Sequence, residues 1–136
     1  MTKKIIQTNK APAAIGAYSQ AVLYGDTLYI SGQIPLDPVS MQVLSQDFRE
    51  QAQQVFRNIV AIADQANTSL NHALKLTVYL TDLSDFAVLN EVMAEFCEEP
   101  FPARAAVQVA ALPKDVKIEI ESVSYTHLTL PTIYSV

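Results

Sequence analysis

Residues 100–108, PFPARAAVQ, set one arginine inside a run of alanine and valine. An arginine in such company is rarely buried without a partner, and its planar fork of donors suits a carboxylate. Further along, VKIEIE places Lys117, Glu119 and Glu121 on one parity of an extended segment, just as Arg104, Ala106 and Gln108 share one. Two readings are open. In one, these are the wet polar face of a hairpin. In the other, Arg104 fixes a substrate carboxylate while a glutamate positions a water. A hairpin turning at LPKD would put Gln108 near Glu119, leaving Arg104 about four residues, or roughly 13 Å, further along. That is too far for contact within one chain. A shared site would be spanned by its substrate or would draw one group from a neighbouring subunit.

Most other chemistries lack the residues they need. Two histidines and one cysteine supply no zinc or iron constellation, so no metal is expected. Three glycines (Gly16, Gly25 and Gly32) make neither a phosphate-cradling loop nor a dinucleotide fingerprint. A Ser-His-Asp or Cys-His nucleophile has no usable histidine: His72 falls at the solvated start of a strand, and His127 lies in a suspect tail. Cys97, on an apolar helical stripe, reads as a packed small hydrophobe.

The remaining composition is that of one compact domain. The 136 residues are 50% hydrophobic and 17% charged, which is globular and long enough to bury a core. A net charge of −5 argues against a nucleic-acid partner, and Lys3-Lys4 is the one tight basic pair. A single cysteine, no signal peptide in MTKKIIQTNK and no membrane-length apolar run give the expectation of a cytoplasmic protein.

The candidate residues need elements to hold them. YSQAVLYG and TLYISGQI read as strands joined by a turn at Gly25-Asp26. Phe48, Ala52, Val55, Phe56, Ile59, Ile62 and Ala63 recur at helical steps across 47–66. In ALKLTVYLTD, Leu74, Leu76, Val78 and Leu80 share the inward parity. Ser84 is the expected N-cap of a second helix carrying Phe86, Leu89, Val92, Met93 and Phe96, stopped by Pro100 and Pro102. Two closing strands, ARAAVQVA and VKIEIE, complete the order β-β-α-β-α-β-β. An α+β sheet with both helices on one face fits this order. The other face needs cover, with Tyr29, Val107, Val109, Ile118 and Ile120 as its candidates, so oligomerisation is expected.

After Glu121 the text changes to SVSYTHLTLPTIYSV, with poor alternation and a proline at 131. Val123 to Thr132 back-translates as GTC TCT TAT ACA CAT CTG ACG CTG CCG ACG, a string that matches a common transposase-type sequencing adapter. The expectation is a domain over residues 1–122 and a non-native tail over 123–136, excluded from fold reasoning.

PARAAVQVAAL followed by IEI, together with APAAIGAYSQ, SGQIPLDP and LTDLSDFAVLN in order, resembles the RidA (YjgF) family over residues 3–122. The resemblance implies a chorismate-mutase-like α+β fold with a mostly antiparallel sheet. It also implies a homotrimeric barrel with clefts between subunits. The implied activity is hydrolysis of reactive 2-enamine and 2-imino acids (2-aminoacrylate/2-iminopropanoate and 2-iminobutanoate) to 2-keto acids and ammonia, without metal or cofactor. By motif, Arg104 would grip the carboxylate and Glu119 would orient water or relay a proton. Tyr18 would line the pocket, Ser31 and Gly32 would supply hydroxyl and backbone contacts, and Asn90 would be structural. Two positions depart from the pattern: Ala106 stands where many members carry cysteine, and Ala17 where proline is frequent. A 2-keto-acid-binding regulatory module without turnover is the second class of function, and an RNA-acting protein the third; the acidic balance speaks against the last.

Overall fold

The computed structural model describes residues 2–126. A short strand not read from the sequence, β1 (Lys4–Ile6), precedes the expected hairpin of β2 (Ala21–Tyr24) and β3 (Thr27–Gln33). Gly25 takes φ +60° at the tip, a conformation glycine adopts without steric cost. Helix α1 (Phe48–Gln65) starts where Asp47 accepts the Glu50 N–H at 3.0 Å, and it buries the whole predicted stripe. Gln51 and Asn58 are buried on it as well. Strand β4 (Ala73–Leu80) buries Leu76, Val78 and Leu80 completely. Leu74 is exposed instead, because the pairing of β4 shifts register between Ala73 and Lys75.

The second helix, α2 (Phe86–Phe96), begins later than expected, and Ser84 is not its N-cap. Asp82 accepts the Ser84 N–H at 2.9 Å and so closes a 3-10 turn over Leu83–Asp85 that feeds the helix. The helix ends ahead of both prolines, where the Cys97 N–H bonds to the Met93 carbonyl. Leu89, Val92 and Met93 face inward, and Phe96 stacks on Phe56 of α1 at 5.3 Å. Strands β5 (Ala103–Gln108) and β6 (Ile118–Tyr125) complete a six-stranded sheet in the order β1-β2-β3-β6-β4-β5. The α+β class and the two helices on one face are as expected.

The expected β5–β6 hairpin does not form. β5 pairs in parallel with β4, Arg104 beside Leu76, while β6 runs antiparallel between β3 and β4. The physical reason is α2: a strand, a helix and a strand make a crossover unit, which returns the chain parallel to its first strand. β6 then takes the vacant place on the far side of β4. This topology also corrects the burial of the second face. Ile118 and Ile120 are buried in the core with the helices, whereas Tyr29 and Val107 stand exposed on the open face. Val109 lies just past β5, half-buried, its N–H bonded to the Leu80 carbonyl at 2.8 Å.

β6 continues through Val123, Ser124 and Tyr125, across the boundary expected at 122; residues 127–136 of the expected tail lie outside the described residues. Its alternation is regular, with Ile118, Ile120, Ser122 and Ser124 inward. The two serines hid that pattern, since a hydroxyl reads as polar in sequence. Among the described residues, Ser122 Oγ is buried without a hydrogen-bond partner.

Candidate active site

The open face of the sheet carries a cavity of roughly 710 Å³. Its floor is β6, where Glu119 and Glu121 point outward on alternate positions between buried Ile118, Ile120 and Ser122. Glu119 is half-buried, and burial, then the nearby Glu121, pushes its carboxyl above the usual carboxylate range. Glu121 is held differently, by the Tyr79 hydroxyl of β4, which donates to Oε1 at 2.8 Å.

The wall beside Glu119 is a β-bulge. Between Ile30↔Ser122 and Gln33↔Ile120, Ser31 and Gly32 together oppose the single residue Glu121, which turns both toward the cavity. Gly32 leaves room for the Glu119 carboxylate where it now lies. A β-carbon at this position would collide with Glu119 Oε2 and stand 3.0 Å from its Cδ. Ser31 is anchored three ways: its hydroxyl donates to the Ser19 carbonyl at 2.6 Å, its N–H donates to the Gln20 carbonyl, and its own carbonyl accepts from Gln33. Its hydroxyl proton is therefore engaged, and it offers a ligand an acceptor.

The N-terminal segment forms the rim. Tyr18 projects a half-exposed ring into the cavity mouth, and its hydroxyl accepts the Ile15 N–H at 3.4 Å. Gln20, fully withdrawn from solvent, pins this segment through the Thr8 N–H and the Thr8, Ala11 and Pro12 carbonyls at 2.7–3.3 Å. Lys114 also lines the cavity, and it and Asp115 beside it both take positive φ, +57° and +55°, a strained pair of the kind found at functional sites.

Tyr18, Ser31, Gly32 and Glu119 thus share one cavity, and Arg104 is not in it. Arg104 pairs with inward-facing Leu76 and so points to the helix side of the sheet, at its β5 edge. There Nη1 donates to Asn90 Oδ1 at 2.6 Å and to Met93 Sδ at 3.3 Å, and the guanidinium lies 4.9 Å from the Phe86 ring centroid. Among the described residues no hydrogen bond engages Nη2 or Nε. Arg104 lines a second hollow of roughly 480 Å³ with Asn90, Met93, Ala94, Phe101 and Pro102. The two hollows have no residue in common.

Sequence reasoning missed several supporting residues. Phe86 and Met93 were read as core stripe, yet both touch Arg104. Glu121 shows in the sequence as strand parity alone, without the hydrogen bond it accepts from Tyr79. Gln20 lies within APAAIGAYSQ, and nothing in that stretch signals its hydrogen bonds to residues 8–12. Asn90 was read as structural, and it does hold Arg104. Among the described residues no helix is long and apolar enough to cross a membrane.

An α+β subunit with a desolvated carboxylate on its open face and an arginine at its far edge defines a class of small cleft-bearing proteins, and the comparisons give that class its family. The chain belongs to the RidA (YjgF) family: the family model described as Endoribonuclease L-PSP matches residues 8–126. A RutC family protein of Pyrococcus abyssi is 50% identical over 125 residues, covering 92% of this chain and 98% of the relative. The human protein named 2-iminobutanoate/2-iminopropanoate deaminase is 48% identical over 124 residues, covering 91% and 90%. Among solved structures, RidA from an Antarctic Psychrobacter superposes with a TM-score of 0.87 at 61% identity, covering 90% of this chain and 98% of that one.

Proposed function

We propose that the protein is a cofactor-independent hydrolase that converts reactive 2-enamine and 2-imino acids, 2-aminoacrylate and its imine tautomer among them, to 2-keto acids and ammonia. One observation carries this reading. Arg104 and Glu119 lie on opposite faces of one sheet in separate open hollows. A carboxylate clamp and a proton-handling carboxylate can therefore meet only between copies of the chain. A homotrimer with three sites between subunits is the arrangement that joins them, and it also covers the exposed sheet face bearing Tyr29 and Val107. The human relative's name supports the same reaction class.

The chemistry asked of the residues is modest. A proton shifted from the enamine nitrogen to the β-carbon gives the imine. Water then adds to C2 while a base takes its proton and passes it to nitrogen; the hydroxyl proton of this carbinolamine then moves to nitrogen as the C–N bond breaks, so that ammonia leaves and the carbonyl forms. Arg104 holds the substrate carboxylate through its free donors. Glu119, its carboxyl raised by burial, takes the water's proton and returns it to nitrogen. Tyr18 closes the mouth, and Gly32 and Ser31 supply close backbone approach and an acceptor. Orienting the imine beside one water supplies most of the acceleration. A binding module without turnover would have no use for a desolvated carboxylate, and a cavity floored by two glutamates repels phosphodiesters.

The test generates 2-aminoacrylate enzymatically and follows keto-acid formation. Wild type accelerates it, while Arg104→Ala and Glu119→Gln each abolish the acceleration. Trimers reassembled from an equal mixture of the two variants recover about a quarter of wild-type activity, the chance that an interface draws each intact residue from a different parent. Inert wild type would sink the deaminase reading. Active wild type with no recovery in mixed trimers would sink the shared site.

A further inference from the structure

The open-face cavity holds two carboxylates, and the proposed reaction uses one. Glu121 is anchored by a partner placed with some care. Tyr79 of β4 is registered opposite Glu119, not opposite Glu121, whose own cross-strand neighbour is Thr77. The Tyr79 ring therefore reaches diagonally along the sheet to place its hydroxyl 2.8 Å from Glu121 Oε1. Diagonal reach of this kind is within an aromatic side chain's span. Glu121 is exposed, so its carboxylate would otherwise turn into water, away from the like charge two residues before it.

Resting on the deaminase reading above, we propose that Tyr79 and Glu121 form a positioning pair: the Tyr79 hydroxyl fixes the Glu121 carboxylate on the cavity floor as a close neighbour of Glu119, and so tunes the proton-handling of Glu119. The titratable and charged groups around Glu119 are Tyr79 from β4, Glu121 from its own strand, Tyr29 from β3, Tyr18 from the rim and Lys114 from the turn, with Lys117 just before β6. Among them Glu121 is the one that pushes the Glu119 carboxyl up, next to burial itself. The same hydrogen bond raises the Tyr79 hydroxyl above its ordinary value, as a donor locked to a carboxylate must be. Neither residue touches the reacting atoms. Both act through Glu119.

The experiment titrates the Glu119 side-chain carboxyl by carbon-13 NMR in the full-length protein, assigned with Glu119→Gln, in wild type, Tyr79→Phe and Glu121→Gln. The midpoint falls by on the order of half a pH unit in Glu121→Gln, where the charge is gone, and by less in Tyr79→Phe, where it is only released. The limb of the kcat/KM profile that Glu119→Gln removes moves with it to lower pH. A midpoint unmoved or raised in either variant overturns the proposal, since a merely structural role would scale the rate and leave the midpoint in place. The titration needs no turnover. If wild type proves inert, the deaminase reading falls while this readout still decides the pair.

Discussion

The two hollows handle charge in opposite ways. At the β5 edge a cation is held by neutral side chains: an amide oxygen, a thioether and an aromatic face, all from α2. Those partners orient the guanidinium without neutralising it, so its attraction for an anion is kept. On the open face a carboxylate is held by crowding, by burial and by a like charge, against a bulge whose one glycine makes room. On the proposed reading, one half binds charge and the other exchanges a proton, and the two meet only between copies of the chain.

The largest effect expected from breaking this comparison is at the charges themselves. Arg104→Ala and Glu119→Gln each lower kcat/KM by about 100-fold or more in steady-state assays; a small loss at Arg104 would make its hollow structural. Gly32→Ala comes next. Its added methyl displaces the Glu119 carboxylate while the backbone stays unstrained, so activity falls about 10- to 100-fold with the circular dichroism unchanged. Asn90→Ala sharpens the other half: a less well aimed Arg104 raises KM about 5- to 10-fold and leaves kcat nearly intact.

Two smaller effects separate charge from packing. Burial raises the folded-state carboxyl of Glu119, so its charge opposes folding. That penalty is absent below the unfolded-state pKa and complete above the folded one. Glu119→Gln should therefore melt slightly higher than wild type near pH 7, with the gain vanishing below about pH 4. Cys97 lies on the helix side, buried, its thiol pushed up to about 11; in the native state it should resist maleimide at about pH 7.5 and react on unfolding.

Sequence patterns that repeat along one element were legible, and relations between elements were not. The α1 stripe from Phe48 to Ala63 and the Leu76-Val78-Leu80 row follow from periodicity, a local property. The partner of β5 is not local. Two strands joined by a short polar segment look like a hairpin, and the deciding feature was the helix before them, which made β4, α2 and β5 a parallel crossover. Placing β5 wrongly put Arg104 on the same face as Glu119, whereas the sheet holds them on opposite faces. Tyr18, Ser31, Gly32 and Glu119 were legible as a set through family motifs, and the structure brings those four to one cavity. What holds them was hidden: Gln20 and Tyr79 act through side-chain bonds to residues 8–12 and 121, which no spacing rule encodes.

Ser122 offers a handle of another kind. Among the described residues its buried hydroxyl has no hydrogen-bond partner on the helix side of the sheet, turned away from the cavity that its neighbour Glu121 faces. Replacing it with alanine removes an unsatisfied polar atom, a change worth about 1 kcal/mol or more in the protein's favour. If thermal melts show that gain, Ser122→Ala gives destabilising substitutions tried in the cleft for new substrates a firmer scaffold to start from.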